Sequence, residues 1–126
     1  MTTRRLLLSA ALLVSAAWAQ ALELAPYSDA ALAASQKAGK PVALHFHADW
    51  CSTCRAQQRA LDALRSEPGL DVTVLVADFD KEKALKQQLG VRSQSTLIVF
   101  RGADEKARLA GETSAERLRA ALKTAL

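Results

Sequence analysis

The chain has 126 residues, half of them apolar, and carries 17 Lys and Arg against 13 Asp and Glu for a formal charge of +4. That length builds one compact domain with a modest core and excludes two. Charges of both signs are spread along the chain, which excludes a nucleic-acid patch, and past the first twenty or so residues no apolar run is long enough to cross a bilayer.

The first segment reads as a signal peptide over residues 1–21. Arg4 and Arg5 form a charged start, Leu6 to Ala17 is apolar, and small residues at Ala17-Trp18-Ala19 and Ala19-Gln20-Ala21 place cleavage after Ala19 or Ala21. As a membrane span it is too short, since crossing takes about 20 apolar residues. Export by the general secretory route is expected, and Thr3-Arg4-Arg5-Leu6-Leu7-Leu8 also fits a twin-arginine signal. Loss of Arg4 and Arg5 lowers the charge from +4 to about +2. A soluble, monomeric domain over residues 22–126 is expected to remain.

In chain order, Leu22-Glu23-Leu24 suits a short edge strand, with Pro26 marking a break. Ser28 or Asp29 caps a helix through Ala34 that ends at Gly39. Val42 to Ala48 is a strand with Val42, Leu44 and Phe46 on one face and Ala43, His45 and His47 on the other. A helix opens at Cys51, continues through Ala60, Leu61 and Leu64, and stops at Pro68-Gly69. Val72 to Phe79 is apolar and β-branched, as a strand buried on both faces requires. Asp80 caps a charged helix closed by Gly90. Thr96 to Phe100 is a strand, Gly102 to Glu105 a turn, and Lys106 to Ala110 the returning strand. The last helix opens with a capping box at Thr113-Ser114-Ala115-Glu116 and carries an apolar stripe of Ala115, Leu118, Leu122 and Ala125. The order β-α-β-α-β-α-β-β-α implies an α/β fold in three layers, a central mixed sheet with helices on both faces and a final hairpin.

Chemistry concentrates at Trp50-Cys51-Ser52-Thr53-Cys54, which holds the only two cysteines. A cysteine at a helix start meets unpaired backbone N–H groups and the positive end of the helix dipole, both of which favour thiolate over thiol. Cys51 is the expected nucleophile. Cys54, one turn on, lies on the same helical face and can close a Cys51-Cys54 disulfide. A purely structural disulfide closing so short a loop would constrain little.

These residues and their neighbours resemble the thioredoxin superfamily over essentially all of residues 22–126. The likeness is carried by Lys40-Pro41-Val42, Ala48-Asp49-Trp50-Cys51 through Cys54-Arg55, Asp80, Gly90-Val91-Arg92, Thr96-Leu97 and Phe100-Arg101-Gly102. It implies a thioredoxin-like fold and a periplasmic thiol:disulfide oxidoreductase acting on protein thiols and disulfides. By the same resemblance it works without a cofactor, as a reductant fed by a membrane thiol-electron transporter, with Trp50 shielding Cys51.

Three positions depart from the family pattern. Ser95 stands before Thr96 where relatives carry a cis-proline facing the cysteines, and a cis bond before a non-proline residue costs about 2.5–4 kcal/mol, so this loop is expected to be trans or strained. His45 replaces the carboxylate that relatives place beneath the second cysteine, and Val76 replaces its lysine partner. With an ordinary pKa near about 6.5, His45 is a candidate proton relay to Cys54. His47 takes an aromatic position on the same strand face. Two histidines beside two cysteines raise the question of zinc, but their crowding is unlike the usual ligand spacing. A competing reading is a thioredoxin-fold protein that binds a soft metal such as copper(I), or shares an iron–sulfur cluster between two chains, through Cys51 and Cys54.

Overall fold

A computed structural model describes residues 21–126, so the expected signal peptide, apart from Ala21, lies outside the described residues. Five strands and four helices follow in the expected order: β1 Glu23–Pro26, α1 Asp29–Lys37, β2 Pro41–His47, α2 Ser52–Leu64, β3 Thr73–Asp78, α3 Lys83–Leu89, β4 Thr96–Arg101, β5 Asp104–Ala110 and α4 Ala115–Lys123. They form one sheet ordered β1-β3-β2-β4-β5. β1, β3 and β2 run parallel, and β4 pairs antiparallel with both β2 and β5.

Local chemistry explains most boundaries. Pro26 is the last residue of β1, which an edge strand tolerates because one side of it needs no ladder donor, and Pro41 takes the first position of the central strand β2, where the ladder with β3 has not yet begun. The Ser28 hydroxyl accepts the Ala31 N–H and caps α1. Gly90, in the left-handed region at φ 66°, ends α3. Gly102 turns the β4–β5 hairpin where a side chain would lie 3.3 Å from the Gly39 Cα.

Two caps differ from the sequence reading. Asp80 does not cap α3. The Asp78 carboxylate accepts the N–H groups of Asp80 and Lys81, and this turn delays the helix until Lys83, behind Glu82, whose side chain makes no capping bond. At α4 the cap is Ser114 rather than Thr113: its hydroxyl accepts from the Arg117 N–H, and its own N–H donates to Glu112. A carboxylate two residues upstream thus serves where Glu116 was expected.

The alternation in β2 divides the core. Val42, Leu44 and Phe46 pack with Leu75, Ile98, Phe100 and Leu85 beneath α1 and α3, while Ala43 packs with Val74, Leu97, Val99 and the buried faces of α2 and α4. Among the described residues no helix is long and apolar enough to cross a membrane. Leu61, fully buried at the centre of the α2 face, should cost about 2–5 kcal/mol when truncated to alanine. Urea unfolding should show this as a lower midpoint at unchanged slope; an unchanged midpoint would contradict the packing described.

His45 is fully buried on this second face, and its two ring nitrogens have no hydrogen-bond partner. Burial first, then repulsion from His47, lower its pKa from 6.5 to about 4, with Gln57 acting the other way. Between these values the unfolded chain binds a proton that the folded one does not, so stability rises with pH. It should be complete above about pH 6.5 and fall by about 3 kcal/mol as pH drops toward 4. Urea unfolding across that window checks the effect. His45→Leu should flatten the slope between neutral pH and pH 5, and a variant as acid-sensitive as the parent would show that His45 is not the cause.

Candidate active site

The site is built where β2 hands over to α2. Because α2 buries Cys54, Gln57, Leu61 and Leu64 at helical spacing, its first turn is pressed against the sheet end. Cys51 is the N-cap. Its sulfur accepts the Cys54 N–H at 3.1 Å, as a serine or aspartate oxygen does at other helix starts. Only 5% of Cys51 is exposed and none of Cys54, so an incoming disulfide meets Cys51 alone.

The two thiols are set apart electrostatically. Burial pushes Cys51 up, but hydrogen bonds from the Cys54 thiol, the Ser95 hydroxyl and the backbone N–H groups of Cys54 and Thr53 outweigh it and hold it below the usual thiol range. Burial, followed by the hydrogen bond to Cys51, pushes Cys54 up. The reduced site therefore presents a thiolate-prone sulfur beside one that keeps its proton.

Ser95 closes the site from the β4 side. All peptide bonds in the described residues are trans, and Ser95 is their only non-glycine residue with positive φ, at 63°. The expected loop is thus both trans and strained; such a conformation costs of order 1–3 kcal/mol. Its surroundings hold it there: the Ser95 N–H donates to the Phe46 carbonyl at 2.9 Å, and its carbonyl accepts from the Gly111 N–H at 3.0 Å and the Gln57 amide at 3.1 Å. This places the hydroxyl 3.4 Å from Cys51 Sγ and 3.0 Å from Cys54 Sγ. Thr96 turns its hydroxyl back to the Ser93 carbonyl and braces the same loop.

The remaining predicted residues lie around this core. Trp50 is 60% exposed, and its indole N–H donates to Asp80 at 2.7 Å, which holds the ring at the edge of a surface cleft. His47 pairs with Asp49 at 3.0 Å and opens with Trp50, Asp78 and Asp80 into a cleft of about 360 Å³. The Arg55 guanidinium donates to the Asp49 carbonyl and steadies the turn before Cys51. His45 sits behind, edge-on to His47 with ring centroids 5.4 Å apart. It makes no hydrogen bond to either sulfur. Among the described residues no three of His, Cys, Asp and Glu converge as a metal site.

Sequence reasoning missed Gln57. Fully buried on α2, it donates both to the Ser95 carbonyl and to the Glu112 carbonyl at 2.8 Å, tying the helix to the loops on either side of the β4–β5 hairpin. The signal was present: Gln57 occupies a core position in the spacing Cys54, Gln57, Leu61, Leu64, and a polar residue on a buried stripe needs internal partners.

Comparison with known proteins agrees with this geometry. The family profile described as Thioredoxin matches residues 27–124. The chain is 34% identical over 83 residues to the thioredoxin of Alicyclobacillus acidocaldarius, covering 66% of this chain and 79% of that one. It is 33% identical over 109 residues to the protein disulfide-isomerase of Oryctolagus cuniculus, where the match covers 80% of this chain but only 21% of that much longer protein. Among solved structures, Trxlp from Edwardsiella tarda EIB202 superposes with a TM-score of 0.74 at 40% identity, covering 79% of this chain and 98% of its own. A matching profile over most of the chain, together with a helix-start Cys51 and Cys54 on the expected sheet, shows that the chain belongs to the thioredoxin family of disulfide oxidoreductases.

Proposed function

We propose that this protein is exported to the periplasm by the signal peptide over residues 1–21 and there reduces disulfides in other proteins through Cys51 and Cys54. The observation that carries the chemistry is the unequal pair: Cys51 is capped by the Cys54 N–H and shifted toward thiolate, while Cys54 is buried and shifted toward thiol. Cys51 attacks a substrate disulfide and becomes joined to one substrate sulfur. Cys54 then attacks Cys51 Sγ, releasing the substrate thiol and leaving the Cys51-Cys54 disulfide. Trp50 and the cleft beside it supply the surface on which a substrate segment rests.

Reduction is supported by likeness: the match spans most of a bacterial thioredoxin and only a fifth of the disulfide-isomerase. A reductant must itself be re-reduced, and outside the cytoplasm a membrane thiol-electron transporter is the partner that fits. Equilibration with glutathione should give a reduction potential near about −270 mV, and one near about −120 mV would make the protein an oxidant. Cys51→Ser should abolish insulin reduction, and Cys54→Ser should accumulate a covalent mixed disulfide visible by mass spectrometry. Turnover by Cys51→Ser would overturn the assignment of the nucleophile. Mass spectrometry of the secreted product should find cleavage after Ala19 or Ala21, whereas an intact, cytoplasmic chain would remove the export reading.

A further inference from the structure

The Ser95 hydroxyl is within reach of both sulfurs, and apart from its hydrogen bond to Cys51 before attack it has no part in the dithiol mechanism so far. A hydroxyl has one proton to give and lone pairs to receive another, so it can accept from a thiol on one side while donating to a thiolate on the other. We propose that Ser95 is a catalytic residue that carries the proton in the step where Cys54 resolves the mixed disulfide. The inference rests on the reading that Cys51 attacks and Cys54 resolves.

The Cys54 thiol gives its proton to Ser95 Oγ as its sulfur forms a bond to Cys51 Sγ. The bond between Cys51 Sγ and the substrate sulfur breaks, the electron pair leaves with the substrate sulfur, and that sulfur takes the original Ser95 proton. Ser95 ends as it began. In-line attack carries the departing sulfur to the far side of Cys51 Sγ from Cys54, about 2.05 Å beyond it, so the Ser95 hydroxyl, 3.4 Å from Cys51 Sγ, must pivot about its Cα–Cβ bond toward Cys51 to deliver its proton.

Three observations select Ser95 over other groups. It is 2% exposed, so bulk water does not readily take its place. Its backbone is held at both N–H and carbonyl, by Phe46, Gly111 and the buried Gln57 amide, in a left-handed conformation that a serine does not adopt without support. The other internal candidate, His45, has no hydrogen bond to either sulfur. The strained loop is therefore the means by which a hydroxyl is aimed between the two thiols.

The test separates leaving groups by their need for a proton. Reduced protein is mixed in equal amounts with dithiobis(nitrobenzoate), whose aromatic thiolate leaves without protonation, or with glutathione disulfide, whose alkyl thiolate gains most from a proton. Release of the second aromatic thiolate, or loss of glutathionylated protein in acid-quenched samples, follows resolution. Measurements are made at a pH where attack by Cys51 has reached its plateau. Ser95→Ala and Ser95→Gly, the latter also relieving the positive φ, should slow resolution of the glutathione adduct on the order of 10²-fold and the aromatic adduct distinctly less. Wild-type rates for the glutathione adduct in both variants, or equal slowing of both adducts, would overturn the role of Ser95. Absence of any resolving phase in the parent protein would instead remove Cys54 as the resolving thiol, and this inference with it.

Discussion

The docking of one helix end on one strand end governs the site. α2 buries Cys54, Gln57, Leu61 and Leu64 against the sheet, and the handover from β2 takes only the residues between His47 and Ser52. With the helix so placed, Cys51 has no freedom to be anything but the N-cap. Its sulfur meets the Cys54 N–H, and Cys54 is carried inward by the same turn. The chemical inequality of the two thiols is thus a consequence of packing. Burial opposes ionisation at both sulfurs, but only Cys51 collects enough hydrogen bonds at the helix start to overcome it.

The second constraint comes from the loop before β4. A proline would lack both an N–H and a hydroxyl at this position. Serine has both and uses both: the N–H reaches the Phe46 carbonyl on β2, and the hydroxyl reaches the sulfurs. The left-handed backbone costs about 1–3 kcal/mol, an amount that three hydrogen bonds, each contributing about 0.5–1.5 kcal/mol net, can offset. Gln57 is part of that compensation, because its amide joins the Ser95 carbonyl to the Glu112 carbonyl. The serine and the buried glutamine belong to one local solution in which polar groups inside the core satisfy each other.

Much of this was legible in the sequence, for reasons particular to each element. Element types and order follow from apolar spacing, from Pro41, Gly90 and Gly102, and from two cysteines at a helix start, all features whose physics is local. The two misplaced caps, Asp80 and Thr113, fail for another reason. Carboxylates two residues upstream of the actual turns, at Asp78 and Glu112, accept the N–H groups of Asp80, Lys81 and Ser114, and these turns move the helix starts past the expected caps. Ser95 could be read as a departure, and its loop as trans or strained, but the bridge across both sulfurs depends on β2, β4 and α2 meeting in space. Gln57 shows the same limit from the other side, since its position in the buried stripe was visible and its partners, at residues 95 and 112, were not.

His45 and Gln57 together show how the second face of the sheet is balanced. Both are fully buried, the two histidine nitrogens have no partner, and the Gln57 side-chain oxygen has none either. A charged imidazole there would face desolvation and the neighbouring His47 with only the Gln57 amide in its favour, so the ring stays neutral near pH 7. Neutrality limits the penalty to that of an unpaired polar group rather than a buried ion. The polar groups that set Cys51 and Cys54 apart are instead those at the helix start and on Ser95, so the inequality on which attack and resolution both depend does not draw on the buried histidine.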